Sequence, residues 1–212
     1  MKVTLKILLA AAVVVLAYMC YVSIITPINF DKEKEAREKA IIARLMDIRK
    51  AQIEYKNMYN RHAANFDELG KFLKEDKIPF LIKEGVLTDE QLEQGMTEAE
   101  AAKKGLIRRD TVWYTAVDTL LGEGYDVDGM RYVPAIPGGK KVEFHMDTAT
   151  LTSGSGYAIK VFVCDVPYDA YLGDLNAQLE YNLKDKAEKQ GKFPGLRVGS
   201  LEEINNNAGN WE

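Results

Sequence analysis

Two histidines, two cysteines and a scatter of carboxylates are the residues in this chain that could do chemistry, and their spacing assembles no reactive set. His62 and His145 belong to no HxxxH or comparable metal-ligand pattern. His62 falls at a helix end and His145 in a strand beside Glu143, so both are expected to be structural or surface residues. Cys20 lies in an apolar N-terminal run and Cys164 in "KVFVCDVPYD", which rules out a disulfide framework and a paired-cysteine metal site. Cys164 is expected to be a small buried strand residue. Neither a G-x-S-x-G elbow, nor a P-loop, nor a G-x-G-x-x-G run occurs. Asp126, Asp128 and Gly129 have the look of an acidic cation loop, but its later ligands are missing and a plain turn is expected. Asn205 to Asn207 form an oxygen-rich cluster at which cation binding stays open. Tyr55, Tyr59, Trp113 and Tyr114 are expected as packing and rim residues rather than a ligand cage. The expectation is therefore no catalytic residue, no metal site and no cofactor.

What remains is architecture. The chain has 212 residues and a net charge of −4, with 28 basic and 32 acidic side chains interspersed along it. Without a basic face there is no expectation of nucleic-acid binding. Residues 7–30, "ILLAAAVVVLAYMCYVSIITPINF", carry no charged side chain. As a helix they would extend roughly 36 Å, enough for a hydrocarbon core of about 30 Å. A cleaved signal peptide would have a shorter apolar run with small residues just after it, whereas Ala10 to Ala12 lie inside the run. A lipoprotein signal would place small residues before Cys20, where Tyr18 and Met19 stand. The reading adopted is an uncleaved anchor, residues 1–30, followed by one extracytoplasmic domain, residues 31–212. Lys32, Lys34, Arg37 and Lys39 follow the run while only Lys2 and Lys6 precede it, so the basic count argues for the opposite orientation. The very short N-terminal tail and the length of the domain favour the N-terminus in the cytoplasm and the domain in the periplasm, across a bacterial inner membrane.

Residues 31–60 read as stalk and amphipathic helix. "DKEKEAREKA" is polar all round and is expected to be exposed. A helical stripe then begins: Ile41, Leu45, Ile48, Gln52, Tyr55, Tyr59, in steps of three and four. Ile41, Leu45, Ile48, Tyr55 and Tyr59 are expected to pack on a sheet, with Lys50 and Lys56 in water. Pro27 is expected to kink or break the helix at the membrane junction. Asn65 with Glu68, and Thr97 with Glu100, read as capping boxes, Thr88 as a further cap and Gly105 as a stop. "IPFLIKEGVL" reads as a strand and turn, "RDTVWYTAVDTLL", "MRYVPAI", "KKVEFHMDTATLT" and "YAIKVFVCDVPYD" as strands, "TSGSGYA" as a hairpin tip, and "LGDLNAQLEYNLKDKAEKQGK" as a short helix with Leu175, Leu179 and Leu183 four apart. "PGLRVGSLEEINNNAGNWE" adds a last short strand and a tail. Helices segregated from strands give an α+β class: an N-terminal transmembrane helix running into an amphipathic helix on a small antiparallel sheet, with short extra helices.

"ARLMDIRKAQIEYKNMYNRHAANFDELGKFL" resembles the helix exit of type II secretion pseudopilins and type IV pilins, with Ile48, Ala51 and Tyr55 at the family's spacing and Phe66, Leu69 and Phe72 following. "INNNAGNWE" is similar to the G-N-W close of major pseudopilins. The family's processing-site Gly and early Glu have no counterpart, since residues 1–30 contain neither. The whole chain, including "GLIRRDTV", "YDAYLGDL" and "PGLRVGSLEE", also looks like a family of uncharacterised single-pass envelope proteins of Bacteroidota. These resemblances imply a non-enzymatic, membrane-anchored envelope subunit that works through protein contacts, with itself or with other subunits. The alternative is an anchored binding module for an envelope glycan or peptide, its ligand surface near Trp113 or Tyr132. A hydrolase would need an acidic pair converging in a cleft.

Overall fold

The computed structural model describes residues 2–84, 97, 100 and 108–212. Its elements in chain order are α1 (Lys2–Tyr59), α2 (Phe66–Glu75), β1 (Lys77–Glu84), β2 (Arg108–Thr115), α3 (Ala116–Leu120), β3 (His145–Thr152), β4 (Ala158–Pro167), α4 (Tyr168–Leu172), α5 (Ala177–Lys189) and β5 (Gly195–Gly199). The class is α+β, with a long apolar N-terminal helix and small antiparallel sheets. Two compact units divide the chain, one formed by Met1–Phe66 with Gly129–Glu212 and the other by Asp67–Asp128.

The first unit is built on α1. This helix runs unbroken for 58 residues, about 87 Å at 1.5 Å per residue. Pro27 lies inside it and does not end it, so of the expected kink or break the break does not occur. Proline removes one backbone donor, and the 18-residue apolar stretch before it and the charged, helix-favouring stretch after it supply enough propensity to continue. The apolar part meets the length and composition of a membrane-crossing helix, a test that a leader sequence would also pass, and none of its most apolar window is buried.

The second half of α1 belongs with a three-stranded antiparallel sheet of order β3-β4-β5. The β3–β4 register pairs His145 with Asp165 and Thr152 with Ala158, so Ser153–Tyr157 is the hairpin tip. Gly156 closes that tip with a φ of 84°, as the turn requires. Central β4 is buried continuously from Val161 to Val166. At β5 two glycines allow close backbone approach: a Cβ on Gly195 or Gly199 would come 2.2 Å from the carbonyl oxygen of Val166 or Phe162. Asn176 caps α5, its Oδ1 accepting from the N–H groups of Gln178 and Leu179 at 3.1 Å each. The stretch "MRYVPAI" is not a strand; Asp128–Arg131 forms a 3-10 turn and only Tyr132 bridges to Glu143. Pro134 and the positive φ of Ala135 (62°) explain why no ladder continues there.

In the second unit α2 buries Leu69, Phe72 and Leu73 and leads directly into the β1–β2 hairpin, whose register joins Lys77 to Thr115 and Glu84 to Arg108. The N–H of Ala116 donates to Asp76 O at 2.9 Å and closes the base of this hairpin. The segment after Thr115, read as strand, turns instead into α3. The acidic stretch at Asp126 to Gly129 forms a turn, as expected, and Lys74 pairs with Asp128 at 2.6 Å. Thr97 and Glu100 make both reciprocal capping bonds, at 3.3 Å each. The expectations for Thr88 and Gly105 lie outside the described residues.

Candidate functional site

The surface most in need of explanation is α1 itself. From Val3 to Ile24 its large apolar side chains are exposed, a patch larger than soluble monomers usually present. Further along, Ile41, Leu45, Ile48 and Tyr55 are buried, as the stripe predicts, and Ala51, outside the predicted stripe, is buried with them. Gln52 sits among them with no exposed surface, and its amide is fully used. Its Nε2 donates to Ala63 O and its Oε1 accepts from Ala63 N–H, both at 2.9 Å. The side chain thus imitates a neighbouring backbone and holds the returning loop against the helix. Tyr59 departs from expectation. It is 46% exposed and lies against the Tyr55 ring, centroids 4.7 Å apart. The helix ends at Tyr59 and Asn60 takes a φ of 54°, so the stripe runs out one turn early. Lys50 is exposed as expected, whereas Lys56 is half-buried and its Nζ donates to Lys160 O at 2.9 Å.

The stretch expected to be exposed all round holds the main surprise. Phe30 and Arg37 are both buried to 6% exposure. The Arg37 guanidinium donates to Tyr171 O at 2.6 Å and forks onto both oxygens of Asp174 at 2.5 and 2.8 Å. Its charge and hydrogen bonds hold the Asp174 carboxyl below the usual carboxylate range. One residue on, Glu38 accepts from the Tyr171 hydroxyl at 3.1 Å, and burial pushes the carboxyl of Glu38 and the phenol of Tyr171 up. A planar, permanently charged fork suits this site, since burial of a cation is offset only by such close bonding. The signal was legible in spacing: Phe30, Lys34, Arg37 and Ile41 step by four, three and four.

No protein-family model, curated protein or solved structure matches this chain. The reading of the site therefore rests on its own geometry.

The C-terminal tail lies along the outer edge of β5. Asn210 donates its N–H to Arg197 O at 3.0 Å, accepts from Arg197 N–H at 3.1 Å, and donates Nδ2 to Gly195 O at 2.8 Å. Gly209 is required because any Cβ there would meet the Trp211 indole at 2.4 Å. Glu212 pairs with Arg49 on α1 at 2.5 Å. The tail covers an edge that would otherwise template another strand. Within the asparagine cluster, Asn205 Oδ1 accepts from Asn207 N–H at 3.1 Å, and Asn206 and Asn207 adopt positive φ, a pattern of local turn bonding. Among the described residues no group of three His, Cys, Asp or Glu converges as a metal site.

Acidic side chains do converge at one place. Asp169 and Glu180 tie α4 to α5, and Lys184 Nζ reaches both oxygens of Asp169 at 2.7 Å. The lysine holds Asp169 low, while burial raises Glu180. A 440 Å³ cleft beside them is lined by Asp169, Asp174 and Lys140 but not by Glu180. Both carboxylates facing that cleft are held ionised by basic partners, so neither is poised to give up a proton. Trp113, in the second unit, is 56% exposed on β2, and Tyr132, in the first, lies half-buried under Lys141 Nζ at 5.2 Å. Neither lines this cleft, the 640 Å³ hollow beside the C-terminal tail, or a 310 Å³ cavity beside His62.

Proposed function

We propose that this chain is a non-enzymatic, membrane-anchored envelope subunit, pilin-like in plan, which acts through protein contacts in a secretion or surface-assembly system. The observation that carries the reading is the continuity of α1: one helix takes an exposed apolar segment directly into a segment clamped in a folded domain. A flexible linker would let a tethered domain wander; an unbroken helix fixed at Phe30, Arg37 and the stripe sets its distance and angle from the bilayer. Such geometry serves assemblies whose subunits must stack in register. The Gly209–Trp211 close and the tail on β5 support the same plan. In this reading the protein is single-pass in a bacterial inner membrane, with its N-terminus cytoplasmic and its domain periplasmic.

Photo-crosslinking residues placed at Val13 and Val22 test it in cells. Adducts to a second copy or to other membrane subunits are expected, together with a detergent-extracted complex larger than the monomer. Adducts to lipid alone, with a monomer on sizing and the N-terminus removed in the mature protein, would overturn it.

A further inference from the structure

His62 is 3% exposed, and neither ring nitrogen has a hydrogen-bond partner. One ring face lies against Phe162, centroids 4.8 Å apart, deep in the sheet. The backbone carbonyls of Gln52 and Lys160 lie close enough to act on the ring, but neither meets hydrogen-bond geometry. A buried imidazole always carries at least one N–H, and leaving it unpaired is costly, so native proteins seldom do it without a reason. The reason lies beside it. His62 lines a cavity of about 310 Å³ together with Arg61, Ala64, Thr148, Ala149, Thr150, Lys160 and Val161. Its charged lining residues are cations, its hydroxyls come from two threonines, and no carboxylate is among them. Lys56 stands just behind, its Nζ on the Lys160 carbonyl, and its charge acts on the imidazole. A cavity with donors and positive charge and without acidic side chains complements a ligand that offers only acceptors.

We propose that this cavity binds an oxyanion, the carboxylate or phosphate group of a small ligand, with Lys160 and Arg61 supplying charge, Thr148 and Thr150 supplying hydroxyls, and the His62 N–H as the innermost donor. This inference does not rest on the membrane reading; it would hold for the domain in any location.

The chain has only two histidines, which makes the test direct. Full-length protein in detergent micelles, labelled in its histidine rings, is titrated at about pH 7 with sodium phosphate, sodium acetate, or sodium chloride at matched ionic strength. The His62 ring signals should shift and saturate with phosphate or acetate and stay put with chloride. His145, exposed on β3, should not follow. Whichever anion saturates identifies the group as phosphate or carboxylate. Lys160→Gln should weaken binding roughly fivefold or more, the loss of one charge-assisted contact, and Lys160→Arg should retain it. Where Lys160→Gln lacks a cooperative thermal transition, Thr150→Val replaces it and should also weaken binding. A non-saturating shift shared with chloride, an unresponsive His62, or unchanged affinity in the folded variant would overturn the proposal and leave a cavity holding water only.

Discussion

The two halves of α1 share one backbone and nothing else. Residues 7–29 are apolar on every side and largely exposed; residues 30–55 bury one stripe, Arg37 and Gln52 included, and carry their other charged side chains off it. In the first half no direction is special, which is the composition of a membrane-crossing helix or of a leader. In the second half direction is everything, and a single residue out of phase would put a charge into the core. The comparison shows that helical propensity makes the rod, while side-chain pattern decides what each part of it touches.

The sharpest way to break that comparison is to make the same change in both halves. Ile48→Ala or Leu45→Ala should destabilise the domain by about 2–5 kcal/mol, because each empties a fully buried position. Leu8→Ala, exposed in the apolar half, should leave the thermal midpoint of the detergent-solubilised protein unmoved. Equal midpoints for Ile48→Ala and Leu8→Ala would mean that the stripe does not dock.

Arg37→Ala should cost somewhat less, about 1.5–3 kcal/mol, since the half-exposed Asp174 carboxylate can regain water although the buried Tyr171 carbonyl loses its partner. Arg37→Lys should recover only part, lacking the fork. A double-mutant cycle with Asp174→Ala should show coupling. Trypsin should also spare Arg37 in the folded protein, and early cleavage there would show that the clamp is not formed.

Acid should test His62. Burial, with the charge of Lys56, lowers its pKa from 6.5 to about 4, so the folded state prefers the neutral ring. A depressed folded pKa contributes stability that is fully present above the unfolded value and is lost as pH falls from 6.5 through 4. Denaturant unfolding at pH 4.5 should show a loss on the order of 2 kcal/mol relative to pH 7 that His62→Leu removes. The paired carboxylates Asp169 and Asp174, held low by Lys184 and Arg37, add their own loss at still lower pH and should persist in that variant.

The smallest effects belong to the stripe's far end. Tyr59→Ala should cost under about 1 kcal/mol, and Lys50→Ala should be silent, since the first is half in water and the second wholly exposed. A Tyr59→Ala loss as large as that of Ile48→Ala would extend the docked stripe to the helix end.

Much of this was legible from residue order. Periodicity located α1 and four of the five buried stripe positions, alternation and turn residues located β1, β3, β4 and β5, and the Thr97–Glu100 spacing located a capping box. The misses share a cause. "MRYVPAI" and the residues after Thr115 have strand-like side chains, but a ladder needs a partner strand, and none pairs with them there beyond the Tyr132–Glu143 bridge. From sequence Arg37 reads as solvated, because a charge is normally exposed unless a partner meets it.

Local order alone determined the elements, since helix continuity, strand alternation and turns depend on neighbours within a few residues. The lack of familiar ligand spacings and reactive motifs was equally local, since it is read from residue order itself. Tertiary structure decided which polar groups enter the core. Arg37 is buried because Asp174, 137 residues away, reaches it; Gln52 because the Ala63 backbone returns to it; His62 because β4 passes beneath its ring. The free energy of burying a polar group is set by the partners that arrive from elsewhere in the chain, and those partners have no fixed distance in sequence.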